Sequence, residues 1–518
     1  MPNLRHLTQH ISAKHISANH LRWIPLLTAL LGCAAFANGW EHTAIDIEVL
    51  KQALDDPNPN VRRRAAESIG YRNQEDATAS LLARLKKPEP VARVRQQIFG
   101  ALGMLGDAAA LEAIRNCLGE ETEVAVRAQC AGALHNIESA DAEQLALLGV
   151  QDSNLYVRLQ AINSLGSFTG SGSVKALIAL TRDPEDPVRL AAILSLGRTG
   201  SPQASEVLVE VLENSENREQ QQVALRALTL LANSDAFTSI KKAYEESGDE
   251  TTRQYALLAM ASTRAAGSES YFLEALSSKD VSTRILGLAI LREYGNSSQV
   301  AAIVEQALTE TGGLFVSESS ELLRQVDQTV AQLLLLNEYL KTIIRLDPAA
   351  GGQLYRRAAV ARSVPRTSSS ELKIAQGFYQ ARWQSLYGLG YTADATAAEQ
   401  VSLALKDEDA RIRAVATRSL GVINDPGHSG LIKRMLQDDS AEVRWTAARV
   451  LGRLNMRDSA DDLMLALTDA HAQVRLESTL ALGFLKAQAA KSKLTQLAQT
   501  DPDPRVNEAA VYAVSLLE

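Results

Sequence analysis

The chain has 518 residues, carries a formal net charge of −8 and contains only 5% aromatic residues. An acidic protein lacks the broad basic face that phosphate contacts require, so the composition argues against a nucleic-acid partner. The scarcity of aromatic residues beside abundant Ala, Leu and Val favours closely packed helices over a sheet core.

The first 37 residues have the pattern of an export signal. Arg5, Lys14 and Arg22 form a basic region without an acid, and residues 23–36 are uncharged and mostly apolar. Residues 35–37 are Ala-Phe-Ala, the small-residue pattern of a cleavage site, so the mature chain would start at the next residue. The apolar stretch is shorter than the roughly 20 residues of an ordinary membrane span.

A second interpretation of this segment is a lipoprotein signal. Residues 30–33 are Leu-Leu-Gly-Cys, which resembles a bacterial lipobox, and lipidation of Cys33 would tether the protein to a membrane. A third is an uncleaved anchor. No other stretch approaches the length of a membrane-spanning helix. We therefore expect an extracytoplasmic protein, in a bacterial periplasm, either free or tethered through Cys33.

Two cysteines lie beyond this segment. Cys117 and Cys130 would lie on the two helices of one hairpin, where contact between them is feasible. Export would permit a disulfide between them. The alternative is that both are small, separate core residues.

From about residue 42, one phrase recurs along the chain. It has the form V-R-x-x-(small)-x-x-x-L-G, as in residues 443–452 and 474–483. The copies follow at steps of 31 to 33 residues, apart from one jump of 98 residues, and a fixed period of this size predicts a solenoid. With the valine as position 0, the anchors are Val61, Val94, Val126, Val157, Val188, Gln220, Thr252, Thr283, Ala381, Ile412, Val443, Val474 and Val506.

Within the phrase, positions 0, +4 and +8 recur as apolar, small and leucine-like residues, which places them on one face of a helix. Position +9 is often glycine, as at Gly452 and Gly483, and glycine there predicts the end of the helix. Another apolar-periodic stretch precedes each anchor. Each unit is therefore predicted to be a helix, a turn and a second helix.

The turn carries a recurring pair of charges. Position −5 is acidic in nine units and position +1 is Arg in eleven. An acid in the turn accepts hydrogen bonds from amides at the next helix start, and the Arg reaches the acid of its own or of the adjacent turn. The unit with Gln221 at the Arg position has Ser215 at the acid position, as expected for a structural pair.

The phrase D-x-x-x-x-V-R-x-x-A-x-x-x-L-G resembles HEAT repeats, specifically the short repeats of the phycobilisome-lyase type, over about residues 42–310 and 372–518. The resemblance implies an all-α solenoid, a superhelix of about 13 helical hairpins. It also implies that the recurring Asp and Arg form a ladder between repeats. The residues assigned to this ladder are Asp56, Arg62, Asp152, Arg158, Asp183, Arg189, Asp407, Arg413, Asp438, Arg444, Asp469 and Arg475.

Two enzymatic branches of that family lack support in these residues. Deoxyhypusine hydroxylases bind iron through His-Glu dipeptides, which this sequence does not contain. The histidines beyond residue 37, which are His42, His135, His428 and His471, have no ligand spacing. The targets of bilin lyases are not exported, so the signal segment argues against that activity. Residues 427–430 lack the final glycine of an esterase elbow. We predict no catalytic, cofactor-binding or metal site.

The outward surface of the second helices remains the candidate for function. In HEAT folds these helices line the concave face, and positions +2 and +6 point away from a core formed by 0, +4 and +8. Exposed aromatic and Arg side chains are typical anchors of a partner-binding surface. The alternative is that curvature or the middle of the chain covers them. The candidate residues are Leu190, Leu194, Trp383, Tyr387, Arg418, Trp445, Arg449, Leu476 and Leu480.

Residues 311–371 interrupt the phrase. Residues 317–346 predict one long helix with apolar positions at 3-4 spacing and a lone Asn337 among them, which is typical of a coiled-coil dimer. However, its apolar surface extends nearly all round, which favours packing inside its own solenoid over self-association. Residues 362–370 are predicted to be a loop and a candidate hinge.

These patterns predict a signal segment (1–37), a repeat array (42–310), an atypical helical insertion (311–371) and a second array (372–518). The predicted function is a non-enzymatic, cofactor-free scaffold that binds a protein or peptide in its concave groove. One alternative is a lyase-like or chaperone-like accessory subunit that presents a substrate protein or binds an apolar cofactor. Another is a structural spacer in the cell envelope.

Overall fold

A computed structural model describes residues 47–71, 77–360, 364–392 and 395–518. The predicted signal segment with Cys33, together with His42 and part of the 362–370 loop, lies outside these residues. All regular elements in the described ranges are helical, and the chain forms two units, residues 1–268 and 269–518. None of the described helices combines the length and the apolar character that crossing a membrane requires.

The first unit is a stack of helical hairpins. The second helix of each hairpin packs side by side against the second helix of the next, and the first helix packs on its own partner. The helices are α1 (Ile47–Ala53), α2 (Pro59–Gly70), α3 (Ala77–Leu85), α4 (Ala92–Leu105), α5 (Leu111–Glu120), α6 (Val124–Ala133), α7 (Ala140–Gly149), α8 (Leu155–Leu165), α9 (Ser171–Leu180), α10 (Asp186–Arg198), α11 (Pro202–Asn214), α12 (Arg218–Leu231), α13 (Phe237–Glu246) and α14 (Glu250–Thr263).

The second unit has the same architecture, with its second helices α16, α20, α22, α24, α26, α28 and α30 in consecutive contact. Short 3-10 turns precede or follow several helices. The helices are α15 (Ser268–Ala275), α16 (Val281–Tyr294), α17 (Val300–Thr311), α18 (Gly313–Val316), α19 (Ser319–Arg324), α20 (Val326–Leu346), α21 (Gly352–Ala358), α22 (Ser369–Leu389), α23 (Ala395–Leu403), α24 (Ala410–Ile423), α25 (Ser429–Arg434), α26 (Ala441–Arg453), α27 (Ala460–Ala466), α28 (Ala472–Phe484), α29 (Lys491–Thr500) and α30 (Pro504–Leu517).

The core follows the predicted positions. Position 0 is buried in every repeat except those of Gln220 and Val61, the latter 37% exposed. Position +4 is buried throughout. Position +5 is buried as well, in all repeats but the last, where Val511 is 61% exposed. One face of each second helix is therefore covered by its own hairpin, and a second face is covered by the neighbouring repeat.

The prediction of a single helix over residues 317–346 is wrong. The backbone turns at Gln325 (φ −120°, ψ 51°), which separates α19 from α20. The break removes the helical partner of the Leu322 carbonyl, and the hydroxyl of Thr329 donates to that oxygen instead (2.9 Å). The predicted long helix is therefore replaced by one short helix, α19, followed by α20.

Helix α20 is integrated in the stack, between α16 and α22. The side-chain amide of Asn337 donates to the carbonyl of Gly377 (3.1 Å) and accepts from Gln384 (3.0 Å), so it binds α22 of its own chain. The 98-residue jump thus contains two steps between second helices, each longer than the regular period.

The glycine at +9 ends the helix in only some repeats. Gly166 and Gly390 directly follow α8 and α22, whereas Gly452 and Gly483 lie within α26 and α28, and none of the described +9 glycines has a positive φ. Instead, this glycine permits a close approach, since a Cβ on Gly452 would lie 2.8 Å from the Cα of Ala481 on the next second helix. A left-handed residue that does end a helix is Gly106 (φ 68°), directly after α4.

Replacing Gly452 with Ala should lower the free energy of unfolding by about 1–3 kcal/mol, because the added methyl forces two packed helices apart. Gly430→Ala is the matched control, since a Cβ there meets open space within α25 and should be neutral or slightly stabilising. Urea denaturation of the full chain measures both. Equal stability of the two variants would contradict the close-approach role.

Candidate functional site

The turn arginines connect each repeat to the next. Nη1 of Arg444 donates to the backbone carbonyl of Asp438 in its own turn (2.8 Å). Nε and Nη2 donate to the carboxylate of Asp469 in the following turn (2.7 and 3.0 Å). That carboxylate also accepts the amide of His471 (2.8 Å), which shapes the turn. The Arg therefore pairs with the acid of the adjacent turn.

Within the described residues, hydrogen bonds close this bridge in two runs of four, separated by turns with serine at position −5, which are Ser215, Ser247 and Ser278. Between the two runs, Arg284 forms a longer ion pair with Glu310 (3.6 Å). In that interval Gln221 donates to the backbone carbonyl of Ser215 (2.8 Å), and Arg189 pairs with Asp186 on its own helix. The bridges are Arg62–Glu89, Arg95–Glu121, Arg127–Asp152 and Arg158–Glu185 in the first unit, and Arg382–Asp407, Arg413–Asp438, Arg444–Asp469 and Arg475–Asp501 in the second.

Two acids assigned to the ladder make no arginine contact through their carboxylates within the described residues. The carboxylate of Asp56 accepts the amide of Asn58 (2.7 Å), and that of Asp183 accepts the amide of Glu185 (2.9 Å). Glu185 takes the bridge from Arg158 instead (2.6 Å). Asp56 and Asp183 still provide backbone carbonyls to the arginine of their own repeat. The ladder thus tolerates a shift of its acid by two residues.

Six of the bridged carboxyls have a lowered pKa, and they are Glu89, Glu121, Asp152, Asp438, Asp469 and Asp501. At Asp501 the hydrogen bonds from Arg475 hold the pKa below its ordinary value. At Asp469 partial burial opposes ionisation, but the hydrogen bonds from Arg444 and the His471 amide together outweigh it and lower the pKa. A carboxyl with a lowered folded pKa stabilises the fold above its ordinary pKa and loses that contribution as the pH falls through the folded pKa.

Asp469→Asn should destabilise the protein by about 1–3 kcal/mol at neutral pH, because it leaves the mostly buried Arg444 guanidinium without its charged acceptor. The difference from wild type should persist above about pH 5 and shrink below 3.8, the ordinary pKa of Asp, as the native carboxyl is protonated.

Glu399→Gln, an exposed carboxyl on α23, is the control and should cost little at any pH. Denaturant unfolding at a series of pH values measures the effect. A deficit in Asp469→Asn that stays constant down to pH 2 would contradict the assignment.

Cys117 on α5 and Cys130 on α6 form a disulfide, with their Cα atoms 6.4 Å apart. Both residues are buried, and Cys130 occupies position +4 of its repeat. The bond therefore joins the two helices of one hairpin from inside the core.

Aromatic side chains line the outward face of α22. The rings of Trp383 and Tyr387 are stacked, with centroids 5.8 Å apart and an interplanar angle of 10°. The ring of Tyr391 continues the row at 5.3 Å, and the Tyr387 and Tyr391 hydroxyls are 2.9 Å apart. The hydrogen bond with Tyr387, aided by partial burial, raises the pKa of Tyr391.

The next two second helices place cations over aromatic rings. The guanidinium carbon of Arg418 on α24 lies 4.6 Å from the Tyr387 ring centroid, and that of Arg449 on α26 lies 4.7 Å from the Trp445 ring. Such contacts contribute about 0.5–1 kcal/mol each at exposed sites. We call the following six residues the aromatic–arginine patch: Trp383, Tyr387, Tyr391, Arg418, Trp445 and Arg449.

The patch remains accessible to solvent. Trp383 is 37% exposed and the Arg449 side chain 42%, whereas Tyr387 and Trp445 are half-buried. The remaining candidates are also half-buried. They are Leu476 and Leu480 on α28, and, in the first unit, Leu190 and Leu194 on α10.

Glu477 on α28 belongs to the site but was missed in the sequence. Its buried carboxylate accepts Nε of Arg449 (3.0 Å) and also contacts Nη2, which holds the guanidinium above Trp445 and raises the pKa of Arg449. Glu477 is the one acid among the thirteen residues at position +3. This unique acid at position +3 is the feature of the sequence from which its role could have been predicted.

No cluster of three or more His, Cys, Asp or Glu side chains within the described ranges is placed to hold a metal ion.

Residues 47–135, 142–229 and 428–515, together just over half of the sequence, match the profile described as HEAT repeats. No curated protein matches the sequence significantly.

Several solved structures share the fold. A crystal structure of importin beta aligns with a TM-score of 0.53 at 11% identity, covering 91% of this chain and 75% of its own. Kap95p in its complex with RanGDP aligns with a TM-score of 0.52 at 13% identity, covering 99% and 82%. The CpcE–CpcF complex of phycocyanin lyase from Nostoc sp. is similar at 19% identity over 48% of this chain and 95% of that one, with a TM-score of 0.31. At these identities the first two likenesses show a common α-solenoid fold, and the third is too weak to carry an argument.

Proposed function

Because this chain belongs to the HEAT-repeat family, we propose that it is a non-enzymatic scaffold that binds a protein or peptide partner on the aromatic–arginine patch. The single observation that carries the proposal is the row of ordered, solvent-accessible rings and guanidinium groups across α22, α24 and α26. Tryptophan, tyrosine and arginine are the residues that most often dominate binding energy at protein interfaces.

The patch is also preorganised. Stacking holds Trp383 on Tyr387, and the ion pair with Glu477 holds Arg449 on Trp445. A partner that docks here would not have to restrict these side chains, a cost of about 0.5–1.5 kcal/mol for each mobile side chain. Two rigid aromatic anchors on separate helices support recognition of an extended segment.

We further propose that the protein works outside the cytoplasm. The signal pattern of residues 1–37 supports export, and the Cys117–Cys130 disulfide fits an oxidising compartment, where such bonds persist. Tethering through a lipid on Cys33 is the second form of this proposal.

Trp383→Asp and Trp445→Asp should each reduce recovery of the native partner at least about tenfold, because a charge replaces an aromatic anchor worth about 1.4 kcal/mol or more. The measurement is quantitative mass spectrometry of proteins that co-purify with the full chain from its native source.

Leu403→Asp is the matched control, since Leu403 is 70% exposed but lies on the first helix α23, away from the patch. Circular dichroism verifies that all three variants fold. Equal recovery of partner proteins with wild type and with both tryptophan variants would contradict the proposal.

Alkylation of the denatured, non-reduced protein from its native source should leave Cys117 and Cys130 unmodified, and prior reduction should expose both. The intact mass of the same sample should show either a chain that begins after residue 37 or a lipid on Cys33. A full-length chain with two free thiols would contradict export.

A further inference from the structure

One cation of the patch lacks a carboxylate partner. Helix α24 carries three arginines, of which Arg411 pairs with Asp409 (3.0 Å) and Arg413 with Asp438 (2.7 Å). Within the described residues, Arg418 contacts two tyrosines, both uncharged: it lies over the Tyr387 ring with Nη2 3.4 Å from the hydroxyl, and it also hydrogen-bonds to Tyr391. Its charge is thus uncompensated in a chain of net charge −8.

The other cation of the patch is already neutralised. Arg449 gives both Nε and Nη2 to the buried carboxylate of Glu477. A carboxylate that arrives from a partner therefore meets one available guanidinium, that of Arg418.

The surroundings of Arg418 are aromatic. Ala414, one helical turn earlier on α24, holds the +2 position that is tryptophan on both neighbouring second helices, α22 and α26. Ala414 is buried, whereas the Arg418 side chain is exposed, so the accessible cation lies on the helix between those that carry Trp383 and Trp445. Such a surface fits a segment in which an apolar side chain lies next to a charged one.

The tyrosine pair adds a donor. The hydroxyls of Tyr387 and Tyr391 are hydrogen-bonded to each other, so one of them donates within the pair and the proton of the other is left to donate outward. Together with Arg418 this places a cationic donor and a neutral donor next to each other.

We infer that Arg418 and the aromatic rings beside it bind an Asp or Glu side chain of the partner, in a segment where an apolar or aromatic residue lies next to the acid. The carboxylate accepts charge-assisted hydrogen bonds from Arg418, and the neighbouring side chain packs on Trp383. This inference rests on the proposed function and names the chemistry of the partner.

A random heptapeptide library displayed on phage, selected against the full chain, tests the inference. Peptides enriched on wild type should contain Asp or Glu beside an apolar residue, and Arg418→Gln should abolish that enrichment. Arg411→Gln removes a paired arginine of the same helix that also lies over a tyrosine ring, so it should leave the enrichment unchanged. Fluorescence anisotropy then measures the affinity of the best peptide. It should bind the Arg418→Gln variant about tenfold more weakly than wild type. A version of the peptide with Asn or Gln in place of its acid should likewise bind wild type about tenfold more weakly.

Selected peptides without an acid, or equal affinity for wild type and Arg418→Gln, would overturn the inference. If such peptides nevertheless lose binding to Trp383→Asp, the scaffold function stands and only the carboxylate preference fails. A library that yields no peptide dependent on the patch would count against both.

Discussion

An arginine at the start of a second helix holds two consecutive turns together, and the stacking of the repeats depends on this bond. Its guanidinium uses one nitrogen for the carbonyls of its own turn and two for the carboxylate of the next, as in Arg413 with Asp438. Both partners are mostly buried, so the bond is better defined than a surface ion pair, whose contribution is usually under 1 kcal/mol. With the turns aligned, the backbone of the glycine at +9 can contact a small residue on the second helix of the next repeat.

This stacking determines which positions remain for recognition. Positions 0, +4 and +8 face the hairpin, and positions +5 and +9 face the next repeat, so +2 and +6 are the ones left outward. In several repeats they hold small or polar residues, and in others they hold leucine. In the second unit they hold rings and guanidinium groups that contact one another, and the repetitive core thus presents a non-repetitive surface.

The hairpins, the buried positions and the turn pairs could be predicted because they recur at every period. The role of Gly452 could not, since glycine after an apolar run is common at helix ends and only the position of Ala481 shows what the missing side chain permits. The partner of Arg449 was harder to predict, because a period does not report which residues meet across repeats. Arg189 pairs with Asp186 on its own helix, since the following turn carries Ser215 in place of an acid. The break at Gln325 lies in the segment where the repeated phrase is absent. There, a helical pattern of apolar residues does not indicate that one residue has non-helical backbone angles.

Each bridge takes its arginine from one repeat and its acid from the following one, so no single repeat contains both members of a bridge. Loss or duplication of one whole repeat brings an arginine and an acid together again at the new junction, whereas a change of any other length would separate them. Arrays of this kind can therefore grow and shrink in evolution by whole repeats, and a binding surface such as that on α22 to α26 is carried along intact. The serine-bearing turns between the two runs of bridges are where such exchanges would be least constrained.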